Sequence, residues 1–167
     1  MTTSPKPVDA TADAWHVLRN RTFDEIAIGD SASLERAFSS QDIHMFALQS
    51  GDVDPEPAVS SSARGTTEAI CANALISAVL STRLPGPGTR YVNQNLCFLG
   101  AVRPGDRLTV RMQVTSKDTA NHHVTLACTC TNQTGVAVFQ GQVEVVAPTE
   151  RMAVSYTHLT LPTNREV

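Results

Sequence analysis

Residues 66–84, TTEAICANALISAVLSTRL, constrain the fold more than any other stretch. Thr66 or Thr67 is suited to cap a helix there. Ile70, Leu75, Ile76, Val79 and Leu80 spread around much of its circumference, with Ala and Ser between them. A helix apolar on most sides belongs inside a protein, so the spacing predicts a long buried helix over about Thr67–Arg83. PGPG at 85–88 stops it, because proline lacks an N–H and its ring clashes with the preceding turn. From Arg90 the apolar period changes from 3.6 to 2. RYVNQNLCF reads as a strand and Pro104-Gly105-Asp106 as a turn. RLTVRMQV reads as a strand with Leu108, Val110, Met112 and Val114 on one side. VTLACTCT alternates too, NQTG at 132–135 signals a hairpin, and VAVFQGQVEVV is a last long strand.

Before the helix, ASLERAF at 32–38 reads as a strand. Ser39 or Ser40 then caps a short helix over Gln41–Gln49, with Ile43, Phe46 and Ala47 on one face. Gly51 ends it. The order is strand, short helix, long helix, then consecutive antiparallel strands. This predicts an α+β protein in which one antiparallel sheet wraps one central helix, the hotdog architecture. One such sheet leaves an edge strand uncovered, which predicts a homodimer.

Residues 1–14, with Pro5 and Pro7 among small polar side chains, read as a disordered leader. The domain is expected over 15–150. Residues 151–167 are expected to be a non-native or disordered tail, since VSYTHLTLPTNREV at 154–167 breaks from the preceding pattern. That run resembles translated read-through of a transposon-type sequencing adapter and is set aside from fold and function. If so, the natural chain was cut near Met152.

A formal charge of -3 and pI near 5.9 give no basic footprint for nucleic acid. No apolar run reaches the roughly 18 residues of a membrane span, and the N-terminus lacks the apolar core of a secretory signal. A cytoplasmic protein is expected. Cys128 and Cys130 share a strand face with Val124 and Leu126 and read as reduced core thiols, not metal ligands. His122 and His123 are expected to be solvated in a hairpin loop.

SGDVDPEPAV at 50–59 carries the chemistry. Asp52 stands just past the short helix. There a carboxylate works as general base if a proton-transfer partner is in reach, or simply forms a turn through its own backbone. The segments NRTFDEIAIGDSASL, FSSQDIHMFALQSGDVDP, ALISAVLSTRLPGPGTRYVNQNLCF, VRPGDRLTV and CTNQTGVAVFQGQVEVVAPTE resemble the MaoC-like (R)-specific enoyl-CoA hydratases over about residues 20–150. The similarity is greatest to the N-terminal domain of bifunctional enoyl-CoA hydratase/phosphate acetyltransferases.

The resemblance implies a hotdog dimer that reversibly adds water to a trans-2-enoyl-CoA, giving an (R)-3-hydroxyacyl-CoA, with no metal or other cofactor. In the family an Asp and a His five residues later orient and activate the water, and a backbone N–H at a His-Gly pair polarises the thioester carbonyl. Asp52 matches the catalytic Asp and Pro55 the proline of the motif. Asp54 replaces an Asn, and Pro57 stands at the histidine position. The His-Gly pair falls on Glu68 and Ala69, and the intervening segment is shorter than is usual.

Glu68 sits in the first turn of the buried helix, where a carboxylate interacts well with the macrodipole, or it replaces the lost histidine. Ala69 offers its N–H to a carbonyl oxygen, because donors at a helix N-terminus have no intrahelical partner. Asn73, inside the buried helix, needs a hydrogen-bond partner and faces the acyl tunnel or a dimer partner. Gln94 matches a family position and His44 is solvated. Three functions stay open. They are a hydratase weakened by Pro57, an acyl-CoA thioesterase using Glu68 or Asp52, and a non-catalytic acyl-CoA-binding module serving a downstream phosphate acetyltransferase domain.

Overall fold

The computed structural model describes residues 15–51 and 64–157. Its strands are β1 (Trp15–Arg19), β2 (Ser31–Ala37), β3 (Arg90–Phe98), β4 (Arg107–Asp118), β5 (His123–Thr131), β6 (Ala137–Val146) and β7 (Ala153–Thr157). Its helices are α1 (Ser40–Ser50) and α2 (Arg64–Thr82), with a short 3-10 turn at Phe23–Glu25. Five strands form one antiparallel sheet in the order β2-β4-β5-β6-β3.

The period-2 runs fix which face of that sheet is inside. Val110 lies opposite Cys130, Met112 opposite Cys128, Leu126 opposite Val143 and Cys130 opposite Phe139. Directly opposed residues share a face, so these side chains merge into one apolar surface, each exposed by no more than 1%. Ala72, Leu75, Ile76, Val79 and Leu80 of α2 complete the same core, with α2 lying against β2, β4 and α1. A sheet curled over one long helix is the expected hotdog arrangement.

The helix is covered on one side only. Ile70, expected among the buried positions, is 43% exposed, and Ala74, Ser77 and Ser81 continue the exposed stripe. Small side chains there add little apolar area, so the sheet covers the face with the larger ones. The helix also starts earlier than expected, at Arg64 rather than Thr67. Its end is sharp: Gly86 and Gly88 both take positive φ, and a Cβ on Gly86 would sit 3.0 Å from the Cα of Asn20.

His122 is exposed in the turn, as expected, but His123 is not simply solvated. His123 opens β5 and its Nδ1 lies 2.7 Å from Oε1 of Glu144 on β6. His122 sits at φ 57° with its ring edge-on to Phe23, centroids 5.2 Å apart. Lys117 follows an irregularity in β4 between Val114 and Ser116. Its Nζ donates to the carbonyls of Phe23 at 2.6 Å and Ile26 at 2.5 Å.

Five residues of the stretch expected to lie outside the domain, Ala153–Thr157, form β7 antiparallel to β1. Asn20 explains how this segment is led there. It is 2% exposed, its Nδ2 donates to the Glu150 carbonyl at 2.7 Å, and its Oδ1 accepts from the Met152 N–H at 2.8 Å. No helix of the described residues is long and apolar enough to cross a membrane.

Candidate active site

The corner between α1 and α2 is set by local signals. Ser39 caps α1: its Oγ accepts from the Asp42 N–H at 3.1 Å, and its own N–H donates to Asp42 Oδ2 at 2.8 Å. The Ser39 backbone N–H foremost, and the Ser39 hydroxyl that also donates to Oδ2 at 2.8 Å, hold the Asp42 carboxyl below its ordinary value. Ile43 is buried, with Phe46 and Ala47 partly covered on the same side, while His44 is exposed. Gly51 ends α1 in the left-handed conformation at φ 75°, which glycine adopts at no steric cost. The chain is thereby turned immediately before Asp52.

Asp52, Asp54, Pro55 and Pro57 lie outside the described residues. Glu68, Ala69 and Asn73 all fall on the first half of α2. Because α2 begins at Arg64, two expectations change. Glu68 belongs to the second turn and not the first, and no acidic residue occupies the first turn. The Ala69 N–H also lies in the second turn. Only the first four donors of a helix lack intrahelical acceptors, so this N–H is directed at the carbonyl of residue 65 and is not free for a ligand.

Asn73 is one turn past Ala69 on the same side of the helix. It is partly buried, and its Oδ1 is shut off from solvent with no hydrogen-bond partner. Across the core, β3 carries a polar group on the inner face. Gln94 lies opposite Val143, and its Oε1 accepts from the Tyr91 hydroxyl at 2.9 Å. Burial, with a smaller contribution from Cys128, pushes the Tyr91 phenol up to about 12. This pairing could not be read from sequence, because it depends on a break in the β3–β6 register between Tyr91 and Asn93.

The thiols of Cys128 and Cys130 sit deep in the core. Burial pushes each up to about 12, aided at Cys128 by the neighbouring Cys130. They are inert core groups, as expected. Among the described residues no cluster of three or more His, Cys, Asp or Glu is arranged to hold a metal ion.

Residues 25–136 match the family model described as MaoC like domain. The chain is 39% identical over 132 residues to an (R)-specific enoyl-CoA hydratase of Rhodospirillum rubrum, covering 75% of this chain and 91% of that protein. It is 36% identical over 142 residues to a 3-hydroxybutyryl-CoA dehydratase of Methylorubrum extorquens, covering 81% of this chain and 90% of that one. Among solved structures it is similar to the unliganded R-hydratase PhaJ1 of Pseudomonas aeruginosa. That match has a TM-score of 0.78 and 32% identity, and it covers 87% of this chain and 97% of the other.

Proposed function

The chain belongs to the family of MaoC-like domains, and on that premise we propose that it is a hydro-lyase acting on acyl-CoA thioesters. It reversibly hydrates trans-2-enoyl-CoA to (R)-3-hydroxyacyl-CoA. The observation that carries this reading is the likeness to the PhaJ1 hydratase across 97% of that chain.

In this reading the Asp52 carboxylate takes one proton from a water whose oxygen bonds to the β-carbon. The π electrons of the double bond shift toward the thioester oxygen. The proton held by Asp52 then passes to the α-carbon, and the second water proton stays on the new hydroxyl. Pro57 has neither a titratable group nor an N–H, so nothing at its position shares the proton transfer. The rate is reduced on the order of 10²–10⁴ relative to a site with both groups. Glu68 is proposed as the acidic group nearest in role to the missing base. Asp54, Ala69 and Asn73 are proposed as substrate contacts.

We also propose a homodimer, supported by β3. It is an edge strand, and Tyr91, Val92 and Phe98 on it, with Leu99 just past it, are 48%, 46%, 44% and 52% exposed. An apolar edge of this kind is a template for pairing with another chain. A cytoplasmic setting and a companion phosphate acetyltransferase domain are further proposals, the second supported by the similarity of ALISAVLSTRLPGPGT to such bifunctional proteins.

Loss of enoyl-thioester absorbance from crotonyl-CoA, followed at high enzyme concentration, tests the reading. We expect slow turnover that Asp52→Asn abolishes and Pro57→His raises. Rates equal in wild type and Asp52→Asn, with acyl-CoA still bound, would replace it by a binding module. Free CoA without hydroxyacyl product would replace it by a thioesterase.

A further inference from the structure

PGPG at 85–88 stops α2, but it also builds a floor for a second segment. Gly86 turns at φ 99°, and a Cβ there would stand 3.0 Å from the Asn20 Cα and 3.2 Å from the Arg19 carbonyl oxygen. Both are backbone atoms, so a larger residue would push the end of β1 off this turn. The Arg21 N–H fixes it there by donating to the Pro85 carbonyl at 2.8 Å. Asn20 is held from below, and its amide is presented to residues 150–152.

What Asn20 binds is main chain alone. Its Nδ2 donates to the Glu150 carbonyl at 2.7 Å, and its Oδ1 accepts from the Met152 N–H at 2.8 Å. Its own N–H donates to the Met152 carbonyl at 3.3 Å. Beyond Met152 the pairing is again between backbones, from Arg19 opposite Ala153 to Trp15 opposite Thr157. Residues 150–155 are all exposed, so no side chain there fills a pocket. Every residue except proline offers the same N–H and C=O, and a site that reads only these groups does not read sequence. Attachment at Met152 also holds the next residues at about millimolar effective concentration, which favours a pairing too marginal to form between separate chains.

We propose that β1, Asn20 and the 85–88 turn form a strand-acceptor surface for the chain's own segment after Met152, bound through its backbone whatever its side chains. Asn20 sets the register by fixing residues 150 and 152, and the segment is thereby directed along β1. The inference is independent of the hydratase reading above.

Hydrogen–deuterium exchange at residues 15–19 of the full-length protein, read by mass spectrometry, tests it. We expect exchange on the order of tenfold slower in the wild type than in a chain ended at Met152. A five-fold variant, Ala153→Thr, Val154→Thr, Ser155→Val, Tyr156→Thr and Thr157→Val, keeps that protection. The pair Val154→Pro and Ser155→Pro loses it, because successive residues bond to opposite sides and one of the two lost N–H groups must face β1. Asn20→Ala loses it as well.

Protection lost in the five-fold variant would make the recognition a matter of side chains and overturn the proposal. So would protection kept in the proline pair or in a folded Asn20→Ala protein, or a wild type that exchanges as fast as the chain ended at Met152. Should Asn20→Ala not fold, the five-fold and proline variants still decide, since both change only residues 153–157.

Discussion

The inner face of β4-β5-β6 and the first half of α2 belong to one core but obey different rules. On the sheet, every inward position from Leu108 to Val114 and from Val124 to Cys130 is apolar and no more than 1% exposed. On the helix, Ile70 lies half bare at 43%, and Asn73 holds an acceptor away from water with nothing to bind it. Packing alone accounts for the sheet. It does not account for Asn73, which a packed core would replace by an apolar side chain, nor for a stripe of Ile70, Ala74, Ser77 and Ser81 left uncovered. The scaffold is optimised for burial, and the first half of α2 is not.

The sharpest way to break this contrast is to truncate one side chain from each region. Phe139 is fully buried and meets Phe98 edge-on, centroids 5.7 Å apart. Phe139→Ala is expected to lose about 3–5 kcal/mol in denaturant unfolding. Ile70→Ala should stay within about 0.5 kcal/mol if its face is bare in solution. A loss at Ile70 above ~1 kcal/mol that grows with protein concentration would show the stripe covered by a second copy.

Asn20 tests whether a buried polar group with full satisfaction behaves unlike Asn73. Its amide closes two hydrogen bonds to the backbone of residues 150–152. Asn20→Ala should cost about 2 kcal/mol, since two backbone groups lose partners, where the corresponding change at Asn73 costs nothing or stabilises. Equal losses at the two positions in thermal unfolding would erase the distinction.

How far the sequence reached follows the same division. The strands at 90–98, 107–118, 123–131 and 137–146 were legible because a period of 2 with one buried face leaves a single register that buries the apolar set. The short helix was legible from Ser39 and Gly51, whose side chain and backbone do local work. The start of α2 was not, because Thr66 and Thr67 offer a cap signal that the helix, beginning at Arg64, runs through. The roles of Ala69 and Glu68 shifted with it. Asn20, Lys117 and the His123–Glu144 pair were missed for a different reason: each is defined by partners at least 20 residues away. Period and capping report only on near neighbours.

The thiols extend the comparison to pH. Cys128 and Cys130 have thiol values pushed up to about 12 from 9.0 by burial. A group raised on folding adds stability that is fully present below its unfolded value and is lost as pH rises through the folded one. Stability should therefore fall between about pH 9 and pH 12, by less in a Cys128→Ala, Cys130→Ala double variant measured against its own value at pH 8. With iodoacetamide at pH 8, exposed Cys97 should be alkylated first. Cys128 and Cys130 should react only as the protein unfolds. Early labelling of either, read by mass spectrometry, would mean that the sheet opens locally.

The smallest effect is expected from the C-terminal strand. β7 pairs with β1 through backbone hydrogen bonds, from Trp15 opposite Thr157 to Arg19 opposite Ala153. An isolated two-stranded pair is marginal in water, and this one buries little: Val17 is 49% exposed and Val154 48%. The anchorage lies before it, where Asn20 holds residues 150–152 and the Phe23 N–H donates to the Pro148 carbonyl at 2.8 Å. We propose that residues 153–167 can be removed with a change in melting temperature below about 3 °C, under 1 kcal/mol for a domain of this size. Truncation after Pro148 should cost more, because it strips both partners from the buried Asn20 amide. A fall of several degrees on truncation after Met152, as large as that caused by the shorter chain, would place β7 inside the domain. The stretch resembling adapter read-through would then be doing structural work that its aperiodic sequence does not announce.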